Sequence, residues 1–193
     1  MESGRSAAIM KCMETMRFRE AVVADADGIG TLHVVSWQET YSGVLPDTLL
    51  DGLSAEARSA MWRSVLTGSA GPEGTKVFIA EAGGDIVGFG ACGDQRDRKL
   101  GEQGFDGEIG AIYVLKSHQR TGIGIALMRL MAQSLLLQGR KAASLWVLRE
   151  NQFARAFYER LGGTLIGERV DELSGATVAE VAYGWSDLNA LIR

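Results

Sequence analysis

The sequence predicts an α/β fold built on one mixed, mostly antiparallel sheet with helices on both faces, and three observations carry that prediction. Runs rich in β-branched and aromatic residues alternate with stretches of helical spacing, in the order β α α β β β α β α β β. Two of those runs, Thr75–Cys92 and Thr164–Trp185, are broken by glycine turn signals and read as hairpins. A third stretch, Glu108–Leu137, reads as strand, glycine-rich turn and helix. At 193 residues the chain is long enough for one domain with a sizeable core.

Met1–Thr15 holds small residues and no apolar stretch long enough for a signal peptide, so residues 1–15 are expected to form a disordered leader and 16–193 a single domain. Met16–Val23 reads as the first strand. Asp25-Ala26-Asp27 supplies an acidic N-cap for a helix running to about Tyr41, and Ser54 caps a second helix to about Leu66 with Ala57, Met61 and Val65 on one face. Gly43–Gly52 between them reads as a loop. Thr75–Ala82 and Ile86–Cys92 are strands joined through Gly83-Gly84-Asp85, and Asp94–Gly107, long and polar, is expected to be a mobile loop.

Glu108–Val114 follows as a strand. Lys116–Thr121 is a loop that ends in Gly122-Ile123-Gly124, and Ile123, Leu127, Leu130, Met131 and Leu135 then recur at helical spacing. Ala143–Arg149 is the next strand, Asn151–Gly163 the next helix, and Thr164–Val170 with Val178–Trp185 a closing hairpin across Ser174-Gly175.

Composition excludes several functions. A net charge of −4 argues against a general nucleic-acid binder, and no apolar run is long enough to span a bilayer. Cys12 and Cys92 offer neither a disulfide framework nor a metal-ligand cluster, and the cytoplasm is the default compartment. Charge is unevenly spread: Ile109–Arg149 contains no acid, yet carries Lys116, Arg120, Arg129, Arg140, Lys141 and Arg149. A helix usually places acids in its first turn, where the dipole is positive. Their absence after Gly122, with glycines that let backbone approach a ligand, suits an incoming anion such as a phosphate. A plain glycine turn before a core helix is the competing explanation of the same residues.

The stretch lacks G-x-x-x-x-G-K-[ST], which excludes the nucleoside-triphosphate loop. The dinucleotide fingerprint fails as well, because its third glycine would fall at Leu127 and no acid stands near Ala142. What remains, Gln119-Arg120-Thr121-Gly122-Ile123-Gly124, resembles the Gln/Arg-x-x-Gly-x-Gly/Ala signature of the GNAT superfamily of N-acetyltransferases. The strand at Ala143, the Asn151 helix with its Phe157-Tyr158 pair, and the upstream W-x-x-x-Y-x-G-x-L-P segment at Trp37–Pro46 are similar to the family too. Lys116 departs from it, standing where a proline is frequent.

The resemblance implies a GNAT-like sheet splayed between its fourth and fifth strands, with acetyl-CoA as co-substrate and no metal. It implies that backbone groups of Ile112, Tyr113 and Val114 hold the pantetheine arm, that Gln119, Arg120, Thr121, Gly122, Ile123, Gly124 and Ile125 hold the pyrophosphate, and that Asn151 contacts the arm. Trp37, Glu39 and Tyr41 are then candidates on the acceptor side. The acceptor it implies is a primary amine of an unidentified small molecule or peptide; no nucleic acid and no membrane is expected as partner, and a homodimer is common among such enzymes. A non-catalytic acyl-CoA-binding module or sensor is the alternative.

Two residues are candidates for catalysis. Tyr158 belongs to an apolar stripe with Phe153, Ala154, Phe157 and Leu161, and spacing alone makes it a core aromatic. The resemblance makes it the general acid, since a phenol of pKa near 10 stays protonated at neutral pH and can protonate a departing thiolate. Glu108 is the candidate base, weighed against an ion-paired residue at the start of a strand.

Overall fold

A computed structural model describes residues 16–72, 74–173 and 176–193. The expected leader and the Ser174-Gly175 turn lie outside the described residues. Among the described residues seven strands form one sheet: β1 (Arg17–Glu20), β2 (Lys76–Ala82), β3 (Asp85–Asp94), β4 (Gly107–Val114), β5 (Ala143–Leu148), β6 (Thr164–Leu173) and β7 (Ala176–Trp185). Their spatial order is β1-β2-β3-β4-β5-β7-β6. Helices α1 (Ala26–Tyr41), α2 (Asp47–Asp51), α3 (Ala55–Leu66), α4 (Arg98–Glu102), α5 (Ile123–Leu137), α6 (Gln152–Arg160) and α7 (Asn189–Ile192) surround it.

Side-chain alternation along the strands feeds two large cores and, among the described residues, a smaller cluster of Tyr41, Leu45, Leu50, Leu148 and Val178. On one face Leu127, Met131 and Leu135 of α5 and Tyr158 of α6 pack with Ile109, Leu145, Val181 and Tyr183. On the other, Ile29 and Leu32 of α1 and Trp62 of α3 pack with Val77, Ile79, Phe89 and Ala91. Full burial of each large apolar side chain contributes about 1.5–3 kcal/mol. Glycines set how closely the layers approach. A Cβ at Gly90 would stand 2.9 Å from Met131 Sδ and one at Gly88 3.1 Å from Ile123 Cγ2, so β3 lets α5 lie close on the sheet.

The sheet opens in its middle. β4 and β5, parallel neighbours, pair only at Gly107–Ala143 and Glu108–Ser144 and then separate. The bend has a local cause in β4, where the register with β3 jumps from Ala91–Ala111 to Cys92–Ile109 and leaves Gly110 as a bulge. A bulge bends its strand and increases its twist. Beyond that point, among the described residues, one edge of β4 and the facing edge of β5 are without strand partners.

Four expectations need correction. Asp25 does not cap α1; its carboxylate turns back to accept from the Val22 N–H at 2.7 Å and from Arg19, because the guanidinium offers charge as well as hydrogen bonds. Ser54 does cap α3, accepting from the Ala57 N–H at 3.1 Å, but the buried stripe passes through Ser59 and Trp62 while Ala57 and Met61 stay exposed. Small residues are needed there, since a Cβ at Gly30 of α1 would approach the Ser59 backbone N to 2.5 Å. Residues 94–107, expected to be a mobile loop, contain α4, capped by Asp97, and bury Leu100 and Phe105. Gly43–Gly52, expected to be a loop, contains the short helix α2.

Candidate active site

The opening between β4 and β5 is a cleft of about 940 Å³. One end is the loop that joins β4 to α5, and several bonds hold it in shape. The Gln119 side chain donates to the Val114 carbonyl at 3.1 Å, Thr121 Oγ1 to the His118 carbonyl at 2.6 Å, and the Lys116 N–H to Glu39 Oε2 at 2.9 Å. Arg120 and Gly122 lie in the left-handed region at φ 62° and 91°. For Arg120 that conformation is strained by about 1–2 kcal/mol, and strain of this kind gathers at ligand sites.

The consequence is a row of unused donors. Among the described residues, the backbone N–H groups of Arg120, Thr121, Gly122, Ile123, Gly124 and Ile125 donate to nothing in the chain, and the first helical bond runs from the Ala126 N–H to the Gly122 carbonyl. Alternating handedness in successive residues forms a concave anion site, and the start of α5 adds its dipole. A Cβ at Gly122 would meet nothing within 4 Å, which leaves that side open to a ligand. Arg120 lies 5.6 Å over the ring of Phe153, which is 49% exposed.

Tyr158 enters the cleft from α6. Its ring packs against Phe157, Tyr183 and Trp185 in the core, and among the described residues its hydroxyl has no hydrogen-bond partner. Burial, with a smaller contribution from nearby Tyr41, pushes its pKa well above the usual phenol value. Asn151 caps α6 by accepting from the Ala154 N–H at 3.1 Å, which fixes the carboxamide at the cleft wall. The facing wall comes from α1. Trp37 Nε1 donates to the Tyr113 hydroxyl at 3.0 Å, and Tyr41 lies beside Trp37. Burial raises the pKa of both the Tyr113 and the Tyr41 phenols. Behind them His33 accepts from Trp62 Nε1 at 3.1 Å, and desolvation lowers its pKa to about 3, so the imidazole is neutral.

A structural relationship fits this geometry. The Acetyltransferase (GNAT) family model matches residues 36–163. The chain belongs to the GNAT acetyltransferase family. The uncharacterised N-acetyltransferase YuaI of Bacillus subtilis is 34% identical over 175 residues, covering 90% of this chain and 94% of that one. YncA from Salmonella typhimurium, solved with its cofactor acetyl-CoA, aligns at TM-score 0.66 and 19% identity over 90% of this chain and 94% of that one. The PaiA N-acetyltransferase of Thermoplasma acidophilum, solved in complex with coenzyme A, aligns at TM-score 0.61 and 17% identity over 86% and 98%.

In this GNAT chain the cleft brings together Ile112, Tyr113, Val114, Gln119, Arg120, Gly122, Gly124, Ile125, Asn151, Tyr158, Trp37 and Tyr41 of the residues singled out in the sequence. Thr121 and Ile123 do not line it, the Ile123 side chain being buried in the core, and Glu39 stands apart as well. Its carboxylate anchors the loop at the Lys116 N–H and does not line the cleft. Glu108 lines the cleft but is 8% exposed and clamped: Arg96 donates through its backbone N–H and Nε to Oε2 and through Nη2 to Oε1. That is the ion-paired role the sequence left open beside the base. Sequence reasoning missed Arg96, Trp146, Arg169 and Glu180, which also line the cleft. For Glu180 a signal existed, an acid inside the apolar run Val178–Trp185. Among the described residues no group of three or more His, Cys, Asp or Glu side chains could hold a metal ion, and no helix is long and apolar enough to cross a membrane.

Proposed function

We propose that the chain transfers an acetyl group directly from acetyl-CoA to a primary amine of a small molecule or peptide. The observation that carries this reading is the row of unused N–H groups from Arg120 to Ile125 at the end of a cleft into which the Tyr158 phenol projects. Those amides, with the Arg120 side chain, would bind the diphosphate. The unpaired edge of β4 at Ile112–Val114 offers ladder positions for the two amides of the pantetheine arm, with Asn151 facing them. The Val114 N–H would polarise the thioester carbonyl as its oxygen gains charge.

The bound thioester supplies an electrophilic carbonyl. Trp37 and Tyr41 wall the side from which the amine comes, and Tyr158, held protonated by burial, gives its proton to the departing sulfur. The free Cys92 thiol, buried and raised to about 12, is inert and compatible with a cytoplasmic setting.

The test is a broad panel of primary amines incubated with acetyl-CoA, following free thiol and the mass of the amine product. The reading requires both for at least one amine. Binding of acetyl-CoA with no transfer to any amine would leave an acyl-CoA-binding module, and failure to bind would remove the family's co-substrate from this chain altogether.

A further inference from the structure

We infer that Glu180 of β7 is the carboxylate that receives the ammonium group of the acceptor and takes its proton. This rests on the acetyltransferase reading and extends it to the group that activates the nucleophile. Glu180 lines the same cleft as Tyr41 and Tyr158. In the sheet it stands opposite Leu148 of β5 and Arg169 of β6, so its side chain shares a face with Leu148 and Val178, which cluster with Tyr41. That is the face opposite α5, whose start would hold the diphosphate, so amine and co-substrate would approach the opening between β4 and β5 from different faces of the sheet.

The hydrogen bonds at the two cleft carboxylates decide between them. Arg96 engages both oxygens of Glu108. At Glu180 the Nε and Nη2 of Arg169 converge on one oxygen, Oε2, at 2.7 and 2.6 Å. Among the described residues Oε1 has no partner, although the side chain is only 17% exposed. A half-buried carboxylate oxygen with free lone pairs, in a cleft walled by Trp37, Tyr41 and Trp146, fits an alkylammonium group better than water alone. The charged and titratable groups around it are Arg169 from β6, which also pairs with Asp97 and Asp171, and, lining the same cleft, Tyr41 from α1, Tyr158 from α6 and the Arg96–Glu108 pair. Arg169, which also stacks 4.2 Å over Trp146, fixes the carboxylate in place.

The protons balance. The ammonium gives one to Glu180 Oε1, directly or through one water, and the freed lone pair attacks the thioester carbon. A C–N bond forms, and the C–S bond breaks as the adduct collapses. The sulfur takes its proton from Tyr158, the nitrogen's second proton restores the phenol, and Glu180 releases its proton to solvent.

Glu180→Gln is the test, because glutamine still accepts from Arg169 but carries no charge and is not a base. With the amine that turns over fastest in the panel, kcat/KM should fall roughly a hundredfold near neutral pH while acetyl-CoA affinity by calorimetry is unchanged. The deficit should shrink as pH approaches the amine pKa of about 10.4, since free amine needs no base. Glu180→Asp, which keeps the charge, should retain more activity than Glu180→Gln, and Glu108→Gln should lose less. Activity of Glu180→Gln within a few fold of wild type, a deficit equally large at high pH, or no advantage for Glu180→Asp would each overturn the assignment and leave Glu180 a support for Arg169. Failure of the wild type itself to transfer acetyl to any amine would show instead that the activity reading is at fault, and the inference would fall with it.

Discussion

Tyr158 and Tyr113 are both buried phenols in one cleft, and they differ in what holds the hydroxyl. Tyr113 is engaged by Trp37 Nε1, whereas Tyr158 is without a partner among the described residues. Removing the Tyr158 hydroxyl therefore breaks no hydrogen bond. Tyr158→Phe should lower kcat about a hundredfold with acetyl-CoA affinity and melting temperature nearly unchanged. A wild-type turnover in that variant, with chemistry rate-limiting, would reduce Tyr158 to a core aromatic. His33 gives a prediction of a different kind. Its folded pKa, lowered to about 3 by burial, lies below the unfolded value near 6.5. The stability this contributes is present above pH 6.5 and is lost as pH falls toward 3, by up to about 1.4 kcal/mol per pH unit, because only the unfolded chain takes up the proton. Urea unfolding at a series of pH values should show that decline, and His33→Gln, which can still accept from Trp62, should flatten it. An unchanged slope would mean that the imidazole titrates freely.

The elements around the site differ in how clearly the sequence announces them. Strand β4, the glycine turn and helix α5 are legible because glycine spacing, the acid-free stretch and the apolar period coincide at Gly122–Leu135. The short helices α2, α4 and α7 are not, since four or five residues contain too little of a helical period to stand out from a loop. The hydrogen bonds that make the site are less legible still: nothing local couples Arg96 to Glu108 or Glu39 to the Lys116 N–H, which meet only after the sheet has formed. The structure also separates two glycines that look alike in the motif. Gly122 has φ 91° and open space around it, while a Cβ on Gly124 would press on Phe157 Cζ at 3.2 Å. Gly122→Ala should thus weaken co-substrate binding and destabilise by about 1 kcal/mol through the left-handed backbone. Gly124→Val should additionally displace α6 and lower the melting temperature further. Equal melting curves for the two variants would contradict that distinction.

Over the whole molecule, the sheet divides the work. One face carries α5 and α6 with the unused loop amides and Tyr158, the other carries α1 and α3 with the aromatic wall, and the gap between β4 and β5 connects them. The charges are arranged to match. Arg140 and Arg149 of the acid-free stretch are spent on Asp94 and Glu168, while among the described residues Lys116 and Arg120, at the loop itself, form no ion pair. The central claim is that coenzyme A binds with its diphosphate on the Arg120–Ile125 amides. Thermal unfolding of wild type and Gly122→Asp with acetyl-CoA or NAD tests it most directly. Acetyl-CoA at about a hundred times its Kd should stabilise the wild type by roughly 2.7 kcal/mol, a rise of about 5–10 °C, with little effect of NAD and little of either ligand on Gly122→Asp. No rise with acetyl-CoA, an equal rise with NAD, or a full rise in Gly122→Asp would contradict the claim.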